Sequence, residues 1–333
     1  MDVISREEFE ELLGAFALDA CDADEMAAVE QYVAAHPEVN RDVERLRAAA
    51  AGLAASDALA PPRDVRTGLF ERARARRAPR SQTALEVHAE VETTLVELLH
   101  GIAASAAALP TFNGLTVREL VAHLAAMESL VAMWLGVPTL PDVDASGVEE
   151  RTAAVLDLTR DWTDAEVLAL WRRSTAAVRA AASGAAMCPW FGSEMPTDLV
   201  LLARAFETWT HTDDIRRAVG RALEMPSAAA LRTMAEGSMT MVPAALAASG
   251  RARPGRTARI VLTGAGGGEW SIPMEVGAEP GAPDVAITMP VVDWCRRFSD
   301  RLSADELESE IVVHGDRRLA ADVVAAAPAF AGL

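Results

Sequence analysis

The sequence predicts a mainly α fold with a small α+β domain at its C-terminal end. Three observations carry this expectation. Apolar residues recur at helical spacing through long stretches, and the one from Thr197 to Val219 is broken by neither Gly nor Pro. Ala dominates a chain that is 51% hydrophobic, and Ala is the strongest helix former. Strand-like runs appear only late, at Ala258–Thr263, Trp270–Met274 and Val285–Met289.

The 333 residues have room for two or three domains. Changes in pattern divide them into a helical segment at 1–56, a Pro/Arg-rich linker at 57–82, a helical domain at 83–221 and an α+β domain at 222–333. The formal net charge of -18 argues against a nucleic-acid partner, which would need a basic face. Cys21, Cys188 and Cys295 are far apart and form no CxxC, so neither a disulfide framework nor a thiolate zinc site is expected. The N-terminus, Met1-Asp2-Val3-Ile4-Ser5-Arg6, has no basic or apolar signal region, and no apolar run is long enough to cross a bilayer. A cytoplasmic protein without a membrane partner is the expectation.

Residues 1–56 read as three short helices. The first is Arg6–Phe16. Asp22 or Asp24 caps the second, which runs to Ala35, and Pro37 opens the third, which runs to Ala55. Leu12, Leu13, Phe16, Met26, Val29, Val33, Val43 and Leu46 are the candidate core. Pro61-Pro62 then breaks the chain. A short amphipathic helix through Val65, Leu69 and Phe70 is expected, followed by the basic run Arg72–Arg80, read as a solvated linker.

The main helical domain opens with a helix over Thr83–Ala106. Its His88 and His100 are read as structural or exposed. After the turn Leu109–Leu115, Thr116 and Glu119 form a capping box, which places His123 two turns into the second helix. That helix ends near Gly136. Further helices follow over Val148–Leu158 and, capped by Thr163, over Asp164–Ala182. Ser183–Pro196 reads as a loop whose Cys188-Pro189-Trp190-Phe191-Gly192 is suited to cover a pocket mouth, and Cys188 as an ordinary loop thiol. Long helices joined by one long crossover suggest a four-helix bundle.

The last of these helices carries Arg204-Ala205-Phe206-Glu207-Thr208-Trp209-Thr210-His211-Thr212-Asp213-Asp214-Ile215. Glu207 and His211, at i and i+4, project from one face one turn apart. A carboxylate and an imidazole so placed can grip one divalent metal ion, and His123, on an otherwise apolar stripe, is the candidate third ligand. Two His and one Glu with open positions describe a catalytic site, with zinc the default ion. Asp214, three residues past His211, is a candidate to orient that imidazole, and Arg204 to neutralise a carboxylate. Both are equally explained as helix-surface ion pairs.

Beyond residue 221, helical pieces are expected around Ala228–Met241 and Val242–Ala248. The glycines of Gly264-Ala265-Gly266-Gly267-Gly268 make a hairpin turn between the first two strands. Helices around Val291–Leu302 and Arg318–Ala326 bracket a strand at Glu310–His314, and His314 is a strand-end residue.

Two resemblances follow from these residues. Gly114–Ala125 together with Arg204–Ala218 resembles the mycothiol-dependent maleylpyruvate isomerase family of DinB-like metal-binding bundles. The resemblance implies a sterol-carrier-like C-terminal domain and metal ligands at His123, Glu207 and His211. Many members read Cys-Pro-Gly-Trp in the turn before the second helix, where this chain has Asn113-Gly114-Leu115. The family's activity implies that mycothiol, as thiol cosubstrate, adds to an electrophilic small molecule. The thiol then leaves after bond rotation (isomerisation) or stays in the product (S-transfer).

Glu11–Ala20, Ala28-Val29-Glu30 and Ala35–Val39 resemble the zinc-associated anti-sigma domain of actinobacteria. The family's ligand positions hold Tyr32, His36 and Val39, so only His36 keeps a donor and no zinc is expected there. The resemblance implies a sigma-factor partner bound through residues 1–80 by helix shape alone. It carries the alternative function, an anti-sigma-type regulator whose metal-binding bundle senses thiol or metal status.

Overall fold

The computed structural model describes residues 4–18, 20–56, 82–111, 114–307 and 310–328. The chain divides into two compact units, Met1–Arg74 and Ala75–Leu333.

In the first unit, α1 (Arg6–Ala17), α2 (Ala23–Ala35) and α3 (Asn40–Ser56) follow one another, with a 3-10 turn at Pro37–Val39. Ser5 with Glu8 and Asp22 with Glu25 form reciprocal capping boxes, so local hydrogen bonds fix both helix starts. Phe9, Phe16, Val29, Tyr32, Val39 and Val43 make the core. Leu46, expected there, is exposed on α3. Phe9 stacks on Tyr32 and Tyr32 on His36, with ring centroids 4.6 and 4.4 Å apart. Nδ1 of His36 lies 3.3 Å from Glu38. Aromatic packing fills the place where the anti-sigma resemblance puts zinc ligands. The linker helix with Val65, Leu69 and Phe70, the basic run Arg72–Arg80, and Asn113 in the turn before the second helix lie outside the described residues.

The second unit begins with α4 (Ala84–His100), α5 (Val117–Trp134), α6 (Val148–Leu158), α7 (Asp164–Ala182) and α8 (Thr197–Ala218). Helix α4 packs along α8 and α5 along α7, while α6 lies on α5 and both α5 and α7 touch α8. Helix α4 stops earlier than its periodicity suggests. Gly101 caps it, and a 3-10 turn at Ala104–Ala108 takes up the apolar residues that follow. Capping boxes at Thr83, Thr116 and Thr163 start α4, α5 and α7.

Ser183–Pro196 is more than a loop. Met187–Trp190 (β1) and Ser193–Pro196 (β2) pair as a hairpin whose two turn residues, Phe191 and Gly192, have φ of 45° and 82°. Two left-handed residues give the turn the twist that paired strands need. The rings of Trp134, Trp190 and Phe191 meet edge to face at 5.0 to 5.4 Å, which holds Phe191 in a conformation unusual for a bulky side chain. Cys188, in β1 of this hairpin, is buried. Burial, with Glu194 adding to it, pushes its thiol up to about 11, which makes it a poor nucleophile at neutral pH.

Helix α9 is continuous over Ala228–Ala248, although Pro243 lies inside it. The two expected pieces merge because Met234, Ala235, Met239, Val242 and Leu246 bury one continuous stripe, which outweighs the hydrogen bond lost at Pro243. Strands β3 (Thr257–Thr263), β4 (Gly268–Pro273) and β5 (Val285–Pro290) follow. Then come α10 (Val291–Phe298), a single turn α11 (Ala304–Leu307), β6 (Val312–Gly315) and α12 (Arg317–Ala326). The sheet order is β4-β3-β5-β6, with β3 and β5 parallel and both edge pairs antiparallel. The first two strands form the expected hairpin. Helix α10 ends at Phe298 where it was expected to reach Leu302, because Asp300 takes a left-handed φ of 55°. Strand β6 starts two residues later than expected, at Val312. One buried core runs from Val87 and Trp209 through Met234 to Ile260 and Trp294, so α9 ties the helices to the sheet. Among the described residues no helix is long and apolar enough to cross a membrane.

Candidate metal centre

Helix α5 presents His123 and helix α8 presents Glu207 and His211. The phase of α5 is set at its start, where Thr116 accepts from the Glu119 amide at 3.2 Å and Glu119 answers the Thr116 amide at 2.8 Å. Helix α8 is almost wholly buried from Val200 to Ile215, including Thr208, Thr210 and Thr212. Such a stretch tolerates burial only where its polar groups find partners. The Thr212 hydroxyl donates to the Thr208 carbonyl at 2.7 Å, and the Trp209 indole to the Glu224 carbonyl at 3.3 Å.

A donor atom from each of His123, Glu207 and His211 lies within 4.8 Å of the others. Nε2 of His123 is 3.1 Å from Oε1 of Glu207, and Nε2 of His211 is 3.9 Å from the same oxygen. Ligand atoms around one tetrahedral zinc ion, at bonds of about 2.1 Å, stand about 3.4 Å apart, so these spacings bracket what an ion needs. The two imidazole planes are nearly perpendicular, at 87°, with centroids 5.5 Å apart.

Each ring's other nitrogen is engaged. Nδ1 of His123 is 3.0 Å from the Thr152 hydroxyl on α6, and Nδ1 of His211 is 3.1 Å from Oδ2 of Asp214. These contacts turn both Nε2 atoms toward Glu207, the arrangement by which second partners orient ligating histidines. Asp214 is itself held by Arg217 at 3.2 Å and by Arg301 at 3.1 Å. The Oε2 of Glu207 receives Nη1 of Arg204, whose Nε donates to Glu128 at 3.1 Å.

The electrostatics favour neutral imidazoles. Burial first, then the Arg204 charge, brings His123 from 6.5 to about 4. Burial also brings His211 to about 4; His123 adds to this while Asp214 opposes it. Burial works against ionisation of Glu128, yet Arg204 and His88 more than offset it and hold that carboxyl at about 2. Neutral imidazoles and a carboxylate are the donor set a divalent ion takes. His123 and Glu207 keep some exposure, so the cluster is open on one side.

The three residues singled out from the sequence are thus brought together, with Arg204 and Asp214 beside them. His100 is exposed and is not part of the cluster. Sequence reasoning missed Thr152 and Glu128, and read His88 only as structural or exposed. Glu128 had left a signal, as the one acid in the apolar run Leu120–Trp134. A cavity of about 710 Å³ reaches Asp214 and is lined also by Thr111, Arg217, Arg301 and Ser303.

Residues 88–216 match the family model described as mycothiol maleylpyruvate isomerase N-terminal domain. The cluster lies inside that span. Two solved structures are similar to the chain, one of the mycothiol-dependent maleylpyruvate isomerase and one of its histidine-to-alanine mutant. They are 16% and 15% identical to it, each with a TM-score of 0.44, and the alignment covers 69% of this chain and 91% of theirs. No curated protein matches.

Proposed function

We propose, from the premise that residues 88–216 carry a domain of the mycothiol maleylpyruvate isomerase N-terminal type, that this chain is a metal-dependent enzyme. It uses mycothiol as thiol cosubstrate against an electrophilic small molecule. The observation that supports this best is the convergence of His123, Glu207 and His211 from two helices, within the matched span and with every second ring nitrogen engaged. These three residues hold a divalent ion, with zinc the first choice for two His and one Glu. When bound, such an ion lowers the pKa of a thiol or water and polarises a carbonyl or carboxylate oxygen.

The chain's own residues supply the setting. Thr152 and Asp214 orient the imidazoles. Arg204 occupies one oxygen of Glu207. The partial exposure of His123 and Glu207 leaves a side from which thiol and substrate approach. In isomerisation the thiol sulfur bonds to one carbon of a conjugated double bond. The π pair moves onto the conjugated carbonyl as an enolate, rotation follows about the resulting single bond, and collapse of the enolate re-forms the double bond and expels the sulfur as thiolate. In S-transfer the adduct is the product. Isomerisation is the reading closer to the matched family's description.

The test is mycothiol-dependent turnover of an electrophilic substrate by the purified protein, alongside His211→Ala. Loss of turnover in a variant that still melts cooperatively supports the enzyme. An unchanged rate in that variant contradicts it.

A second reading concerns Met1–Arg74. This unit closes its own small core, with the Phe9, Tyr32 and His36 rings stacked where the anti-sigma resemblance places zinc ligands. A small helical module of this kind is suited to dock a sigma factor through its surface, and the whole protein would then be an anti-sigma-type regulator. Copurification of a sigma factor with the intact chain, lost when residues 1–56 are deleted, is the result this reading expects.

A further inference from the structure

Glu207 offers its two oxygens to different neighbours. Oε1 faces the imidazoles, 3.1 Å from Nε2 of His123. Oε2 is taken by Arg204. What fixes Arg204 therefore decides which oxygen of Glu207 is free. Arg204 is 3% exposed and its Nε donates to Oε1 of Glu128 at 3.1 Å. Glu128 is fully buried in the middle of α5, between Met127 and Ser129. The same Oε1 lies 3.4 Å from Nε2 of His88 on α4, itself 1% exposed. Three helices thus contribute one buried line, His88–Glu128–Arg204–Glu207, which ends on the metal-ligand cluster.

A buried ion pair is weak as a stabilising device, because desolvation takes back most of what attraction supplies. Its effect here is geometric. Arg204 extends a rigid planar fork, and with Nε anchored on Glu128 its Nη1 lies on Oε2 of Glu207.

We propose that Glu128 is a positioning residue for the metal site. Anchored by His88, it holds Arg204 on one oxygen of Glu207, so that Glu207 presents a single oxygen, Oε1, to a divalent cation. The inference rests on the metal-site reading given above. Glu128 touches neither the cation nor a substrate. It acts through Arg204, and it also places a second carboxylate behind the site. Glu128→Gln keeps the shape of the side chain but removes its charge and loosens the guanidinium. Glu207 is then able to turn both oxygens toward the cation.

Cobalt(II) is the probe, titrated into the metal-free full-length protein and read by affinity and by its visible absorption spectrum. The parent and the variants Glu128→Gln, His88→Gln and His123→Ala are compared, and thermal melting of each metal-free form reports on folding. The expected result is about one equivalent bound by the parent and none retained by His123→Ala. For Glu128→Gln an affinity loss of about 10- to 100-fold is expected, with an altered spectrum. His88→Gln should shift both readouts in the same direction but less. Should Glu128→Gln fail to melt cooperatively, His88→Gln carries the test. Parent-like affinity and spectrum in the folded variant overturn the role of Glu128 while leaving the metal site standing. No cobalt binding by the parent overturns the metal reading itself, and this inference with it.

Discussion

Asp214 stands 3.1 Å from Nδ1 of His211, one helical turn further along α8, and this contact sets which nitrogen of the imidazole faces Glu207. A carboxylate on Nδ1 keeps the proton there and leaves Nε2 with its lone pair toward the cluster. Arg217 and Arg301 hold Asp214 from two further sides. Replacing it with an amide of the same size removes the charge and permits the opposite ring orientation. Asp214→Asn is expected to weaken divalent-metal binding by about 10- to 100-fold with the helices intact. Calorimetric titration of zinc into the metal-free variant measures this, and parent-like affinity would show that Asp214 has no bearing on the site.

Folding and metal binding separate at the start of α5. The Thr116 hydroxyl caps the helix, and Glu119 reaches back to the Thr116 amide. Thr116→Ala is expected to cost about 1 kcal/mol of stability. His123 lies two turns further on and is held independently by Thr152, so metal affinity should stay within about twofold of the parent. Thermal melting and a zinc titration on the same sample check both halves of the statement.

Acid sensitivity follows from the buried imidazoles. His123 and His211 titrate at about 4 in the folded protein, against 6.5 for the free side chain. Between those values the unfolded chain binds more protons than the native one, so stability rises with pH across the window. The contribution is complete above about pH 6.5, shrinks as pH falls toward about 4, and then levels off. Denaturant melts of the metal-free protein at about pH 7.5 and about pH 5 should show lower stability at the acid end. Equal stability at both would mean that the two rings are hydrated and titrate normally.

The α+β part has its own sensitive point in the turn between β3 and β4. Gly266 has φ of 91°, and a side chain there would meet the Ala228 carbonyl at 2.6 Å and Cβ of Leu231 at 2.9 Å. Backbone cannot yield as a side-chain tip can. Gly266→Ala should therefore destabilise by about 1–3 kcal/mol through strain and overpacking at the start of α9. A melting temperature equal to the parent's would contradict that close approach.

Much of this could be read from residues alone, where local rules dominate. The helix limits at Val148–Leu158 and Asp164–Ala182 agree with the structure, because Thr163 and Glu166 settle the start of the second within one turn. His123, Glu207 and His211 stood out because two of them sit at i and i+4 and the third breaks an apolar stripe. What was not legible depends on distant parts of the chain. His88 and Glu128 are 40 residues apart and meet only when α4 and α5 both pack against α8. The β1–β2 hairpin escaped notice because Pro189 and Pro196 interrupt its strands and its turn is Phe-Gly, whose strained Phe191 relies on Trp134 from another helix. Pro243 suggested a break that the buried stripe of α9 overrides.

The most direct measurement is the metal content of the purified protein beside His123→Ala and His211→Ala. About one equivalent of divalent metal is expected in the parent and little in either folded variant, because each imidazole is one of three protein ligands. A parent that holds no metal even after incubation with zinc, or variants that hold as much as the parent, would contradict this.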